Sequence, residues 1–149
     1  MDLYRLGSCQ YLNNLSGEGA RIYGGRWNSV GIAAVYFTTS KALAVLECLV
    51  HLPPRLLPSN FCMAKFECNL HFHEIKEITL PNGWNSFPFL VDVQAIGDNF
   101  LKNHELSLLK VPSAIIKGEF NFILNPQKIT TNKIICKENE VFSFDERLF

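Results

Sequence analysis

A handful of side chains in this sequence are of the types that act on polar, charged substrates. Gly24-Gly25-Arg26-Trp27-Asn28 sets an arginine directly after two glycines. The glycines let a backbone turn sharply and approach a ligand, and the guanidinium offers a planar five-donor fork suited to a diphosphate or a carboxylate. The same residues also suit a hairpin turn carrying a surface arginine. Glu47 stands among Leu43, Ala44, Leu46, Cys48, Leu49 and Val50. A carboxylate buried there without a partner costs on the order of several kcal/mol. It therefore has an ion pair (with Arg5 or Arg21), a solvated helix stripe shared with His51, or a catalytic task. Tyr36, between Val35 and Phe37, is either a core tyrosine or a ring that stacks on a flat heterocycle while its hydroxyl bonds a polar group. Ser113 follows Val111-Pro112 in an apolar stretch, as a site hydroxyl or a strand-edge serine. Asn121, between Phe120 and Phe122, reads as a buried hydrogen-bond hub or a ligand contact.

Several other chemistries fail on spacing. No G-x-S-x-G surrounds Ser113, which excludes a nucleophile elbow. Gly17-Glu18-Gly19 is not a dinucleotide fingerprint, because Ile22 takes the third glycine position, and no phosphate-cradling G-x-x-x-x-G-K-[ST] loop exists. Cys62, Cys68, His71 and His73 resemble metal ligands, but strand alternation sends the cysteines and the histidines to opposite faces, so no metal is expected. Cys48 and His51 imitate a thiol–imidazole pair, yet a thiol in apolar surroundings beside Glu47 resists ionisation.

The elements that must position these groups read as a mixed set. Tyr4–Leu6, Ala33–Thr38, Asn60–Asn69, Leu106–Ile116, Phe120–Leu124, Lys133–Cys136 and Val141–Phe144 read as strands from alternation and β-branched or aromatic content. Arg21–Tyr23 and Ile75–Leu80 read as extended. Ser40 is an N-cap candidate for a helix over Lys41–His51, stopped by Pro53-Pro54 and apolar on nearly every side, which places it centrally. A second helix fits Val93–Lys102, with Gly97 weakening it. The order implies α+β, with a curved, mostly antiparallel β core, one central helix and smaller ones.

The chain of 149 residues suits one domain over 1–149. Its 48% hydrophobic and 19% charged residues are a globular composition. Fourteen basic residues balance fourteen acidic ones, which argues against direct DNA binding by this chain. The apolar stretch Ala42–Leu52 is interrupted by Glu47 and is too short to span a bilayer, so no membrane association is expected. With no signal-peptide pattern, the expectation is a cytoplasmic protein whose five cysteines are reduced thiols.

Taken together, Gly24-Gly25-Arg26-Trp27-Asn28, Gly31, Val35-Tyr36-Phe37-Thr38 and the run from Ala42 to His51 resemble the RES domain. That family is named for an Arg, a Glu and a Ser, which Arg26, Glu47 and Ser113 match. The resemblance continues through Glu119, Asn121 and Leu124-Asn125-Pro126 to Phe144-Asp145. Val30, Phe100 and Gln127-Lys128 depart from the family pattern, outside the polar set. The resemblance implies an ADP-ribosyltransferase-like fold and a toxin of a bacterial toxin–antitoxin pair. NAD would be its substrate, consumed by hydrolysis or phosphorolysis or used to ADP-ribosylate a protein. The other implied class is an inactive module that only binds its antitoxin. The implied partner is an Xre-type helix-turn-helix antitoxin, with a homodimer inside that complex left open. Within this reading Glu47 stabilises ribose charge, Arg26 fixes the diphosphate, Tyr36 stacks on nicotinamide or ribose, and Ser113 bonds the nicotinamide–ribose end. Arg5 and Asn121 supply second contacts.

Overall fold

Alternating apolar residues build one seven-stranded sheet with two buried faces. The structure, a computed structural model, describes residues 1–53, 58–129 and 132–149. The strands are β1 (Asp2–Ser8), β2 (Val35–Thr38), β3 (Phe61–Cys68), β4 (Phe72–Glu74), β5 (Leu108–Pro112), β6 (Phe120–Leu124) and β7 (Ile134–Phe142). The helices are α1 (Glu18–Tyr23), α2 (Lys41–Leu49) and α3 (Val91–Asn103). Strand order is β4-β5-β6-β2-β1-β3-β7, antiparallel throughout except for the parallel pair β4–β5. The α+β expectation therefore holds. Among the described residues no helix is long and apolar enough to cross a membrane.

Side chains two apart share a face, so β2, β5 and β6 face two cores. Val35, Phe37, Leu108, Phe122 and Leu124 join Leu3, Ala64 and Phe66 in one cluster. Ala34, Leu109, Val111 and Ile123 join Trp27, Trp84, Val93 and Phe100 in the other, under α3. Tyr36 packs against this second cluster.

Ser40 caps α2 as expected, its Oγ accepting from the Leu43 N–H at 3.1 Å. The helix is not central, however. It buries only Leu43 and Ala44, while Leu46 and Val50 are exposed, so its apolar composition does not translate into all-round burial. Pro54, half of the expected Pro53-Pro54 stop, lies outside the described residues. Arg21–Tyr23 is not extended but ends α1, where Arg21 pairs with Glu18 one turn back. Glu77–Thr79 forms a 3-10 turn inside the segment read as extended. The two strands expected over Lys133–Phe144 are one long edge strand, β7. Its exposed Lys137, Glu138 and Glu140 are charges that an edge tolerates. The expectation of five reduced thiols also fails, because Cys9 and Cys62 form a disulfide where the chain leaving β1 passes the start of β3.

Gly97 lies in the middle of α3, where a glycine costs helix stability relative to alanine. Its reason is contact. A Cβ there would sit 1.8 Å from the Trp27 carbonyl oxygen. Helix α3 thus rests directly on the backbone of the 24–28 turn. It grips that turn further through Gln94 Nε2 to the Gly25 carbonyl (2.9 Å) and the Asp98 carboxylate accepting from the Ser29 N–H (2.8 Å). Gly97→Ala is expected to destabilise the fold by about 1–3 kcal/mol or more from overpacking, although alanine is the better helix former. Urea denaturation checks this, and an unchanged or raised midpoint would contradict the contact.

Candidate active site

The site begins where two strands stop pairing. Strands β1 and β2 are joined in register only at Tyr4 and Thr38. Past that pair they part, and a cavity of about 830 Å³ is lined by Tyr4, Arg5 and Leu6 of one strand and Tyr36, Phe37 and Thr38 of the other. Helix α2 contributes Ala44, Glu47 and Cys48, α1 contributes Glu18, Gly19, Ala20, Ile22 and Tyr23, and β6 contributes Asn121. Thr38 ties this corner together, its hydroxyl donating to the Ser40 carbonyl at 2.8 Å, so the end of β2 fixes the start of α2.

Arg5 is the lone arginine or lysine among the described lining residues. Its Nη1 donates to the carbonyls of Leu12 (2.8 Å) and Asn14 (3.3 Å), and its guanidinium lies 5.7 Å from the Phe37 ring centroid. Among the described residues it has no carboxylate at ion-pair distance. Burial pulls its pKa down to about 10. A partly desolvated cation without an anion is a place where an anionic ligand relieves a desolvation cost.

Glu47 is half-buried and paired with neither arginine suggested by the sequence, since Arg21 is taken by Glu18. Two neutral donors meet one of its oxygens. Asn121 Nδ2 donates to Oε1 at 2.6 Å and Ser113 Oγ at 3.1 Å. The Ser113 hydroxyl itself accepts from the N–H groups of Ile115 (3.1 Å) and Ile116 (3.2 Å). With both acceptor positions of the hydroxyl filled, its proton is directed at Glu47. Ser113 is buried and does not line the cavity.

Tyr36 lines the cavity, but its hydroxyl is committed. It donates to Asn28 Oδ1 at 2.6 Å and accepts from the Trp27 N–H at 3.1 Å. Burial raises the phenol's pKa well above its ordinary value, against the opposing hydrogen bond from Trp27. Asn28, fully buried, donates in turn to the carbonyls of Ala20 (2.8 Å) and Ile32 (2.9 Å). Gly25 is required beside this pair, because a Cβ there would lie 2.7 Å from the Tyr36 oxygen. Arg26 stands outside the cavity lining. Its Nη1 donates to the carbonyls of Trp84 (2.9 Å) and Ser86 (2.8 Å), and it lies 5.0 Å from the Phe89 ring centroid. Burial lowers its pKa while the Glu47 charge raises it, so the two groups feel each other.

The structure thus brings Arg5, Tyr36, Glu47 and Asn121 onto one cavity and sets Ser113 and Arg26 behind its walls. Asn28 had been legible only as part of the glycine–arginine run, and its role as the anchor of Tyr36 depends on contacts across the fold. Cys48 lines the cavity as a half-buried thiol whose pKa burial raises. Of the four residues that imitate a metal site, Cys62 is spent in the disulfide. No metal-holding group of three or more His, Cys, Asp or Glu occurs among the described residues.

Comparison with known proteins follows the same outline. The family model described as RES domain matches residues 2–145. A protein named Toxin Res from Photorhabdus laumondii subsp. laumondii is 39% identical over 152 aligned residues, covering 99% of this chain and 97% of that protein. The Prs ADP-ribosylating toxin of Sphingobium sp. is 35% identical over 140 residues, covering 91% of this chain and 87% of that one. The solved M. tuberculosis MbcT–MbcA toxin–antitoxin complex contains a chain that shares the fold. Its TM-score is 0.75 at 18% identity, covering 95% of this chain and 84% of that one.

The environment of Tyr36 carries a direct spectroscopic consequence. Its phenol is expected to stay protonated through the ordinary tyrosine range near about 10. The phenolate absorbance gained over that range should then be the same in wild type and Tyr36→Phe. Loss of one tyrosine's amplitude in the variant would contradict the burial and hydrogen bonding described.

Proposed function

This chain belongs to the RES domain family, and from that membership and the cavity we propose that it is the toxin of a toxin–antitoxin pair that cleaves NAD at the nicotinamide–ribose bond. The observation that carries the reading is a half-buried guanidinium with no carboxylate partner among the described residues and a fixed carboxylate lining one cavity, Arg5 and Glu47.

Cleavage of that bond builds positive charge on the ribose, as in glycoside cleavage. Glu47 stabilises this charge as it develops, which is where a preorganised group contributes most. Arg5 holds the diphosphate, and the ring of Tyr36 packs on the nicotinamide–ribose end. Asn121 meets the substrate indirectly, through Glu47. Arg26, assigned to the diphosphate from sequence, is better placed to build the wall beneath Tyr36 and to add positive potential near Glu47. Nicotinamide leaves, and water or phosphate adds to the ribose. Transfer to a protein side chain is the second reading, favoured by the similarity to the Prs ADP-ribosylating toxin of Sphingobium sp..

The proposed partner is an Xre-type helix-turn-helix antitoxin that covers the cavity mouth, where Tyr11, Ile22 and Tyr23 are exposed. DNA contacts would come from that partner, because this chain balances fourteen basic with fourteen acidic residues.

Purified protein is expected to release nicotinamide from NAD, and mass spectrometry of the product with and without phosphate identifies the acceptor. Arg5→Ala should raise KM for NAD roughly tenfold or more, the scale of a lost charge-assisted hydrogen bond. If Arg26→Ala raises KM and Arg5→Ala does not, the diphosphate lies on Arg26. No nicotinamide release under any of these conditions would end the NAD reading.

A further inference from the structure

Asn121 is an amide with one satisfied end. Its Nδ2 donates to Glu47 Oε1 at 2.6 Å, while its Oδ1 is buried and has no hydrogen-bond partner among the described residues. A buried acceptor left unpaired is costly. An asparagine kept only for architecture would have both ends paired. Here one end is left unsatisfied while the other contacts a carboxylate. The scaffold makes that contact rigid. Asn121 stands on β6 opposite Thr38 of β2 and Val111 of β5, so both neighbours in the sheet fix its backbone.

We infer that Asn121 is a positioning residue that, with Ser113, clamps one oxygen of Glu47 and leaves the other, Oε2, to face the ribose. Both clamps are donors and both meet Oε1. Two donors on one oxygen fix the rotation of the carboxylate. Asn121 and Ser113 reach it from β6 and from the end of β5, so neither alone sets the orientation. Among the described residues no hydrogen bond engages Oε2, and Glu47 lines the cavity. The other titratable residues lining the cavity are Arg5, Glu18, Cys48, His51 and the four tyrosines Tyr4, Tyr11, Tyr23 and Tyr36, and the Arg26 guanidinium outside the lining feels the Glu47 charge. The assignment of Oε2 to the ribose rests on the NAD reading; the clamp itself does not.

Two substitutions separate positioning from packing. Asn121→Asp keeps the shape but sets a carboxylate against Glu47. The pair then shares a proton and titrates as a unit at higher pH. With carboxyl-labelled glutamate, the NMR resonance of Glu47 (identified by its loss in Glu47→Gln) should titrate at higher pH in Asn121→Asp than in wild type. The acid limb of the kcat profile for nicotinamide release should move the same way. Asn121→Leu removes both the donor and the unpaired Oδ1. It should melt at or above the wild-type temperature while kcat falls roughly ten- to hundredfold, the scale of a hydrogen bond to a charged group. KM should stay within about twofold, because the lost term belongs to the transition state. An unshifted Glu47 resonance in Asn121→Asp would overturn the clamp. So would Asn121→Leu retaining wild-type kcat. A shifted resonance in a protein that releases no nicotinamide would leave the clamp standing and remove the NAD reading instead.

Discussion

The register between β1 and β2 is the constraint on which the rest of the site depends. The strands pair at Tyr4 and Thr38 and then part. Closing the ladder further would bring Arg5 opposite Phe37 and Leu6 opposite Tyr36, and the cavity would be replaced by backbone hydrogen bonds. The opening is held by elements on each side. β1 is locked to β3 over seven residue pairs, and β2 to β6 over four. The turn at 24–28, seated on α3 through Gly97, supports Tyr36 from behind. The loop after β1 supplies the carbonyls of Leu12 and Asn14 that hold Arg5. A gap in one ladder is thereby made rigid by the completeness of its neighbours.

That arrangement also explains how opposite charges share the cavity without cancelling. Arg5 is satisfied by backbone carbonyls and Glu47 by neutral donors, so neither is spent in an ion pair. Dipoles fixed by the fold stabilise each charge while leaving it available to a ligand, and they need little rearrangement when a transition state develops. A direct Arg–Glu bridge would have been a structural device with little left for chemistry.

Much of this was legible in local sequence, and the limits are instructive. Alternation or β-branched and aromatic content exposed β2, β3, β5 and β6, and Ser40 marked the start of α2, because these signals lie within one element. α1 is six residues long, too short for helical periodicity to register, and its Arg21–Tyr23 half read as extended. The charged run inside β7 hid a continuous strand that only pairing with β3 along its length reveals. Glu47, Tyr36 and Asn121 were recognisable by type, yet the division of labour was not. Arg26 looked like the anion holder because its glycine context is local. Arg5, which sits in the cavity, gains that position from a strand register that no short window contains. Ser113 likewise was recognised by its residue type and found to act on Glu47, across 66 residues of sequence.

In the proposed mechanism the Glu47 carboxylate serves a transition state and not the architecture. Glu47→Gln tests it most directly, read as nicotinamide release per folded molecule with melting temperature measured on the same sample. The variant is expected to melt close to wild type with turnover reduced by about a hundredfold or more, the scale of one lost preorganised electrostatic group. A variant that melts lower while its folded fraction turns over NAD at the wild-type rate would contradict it.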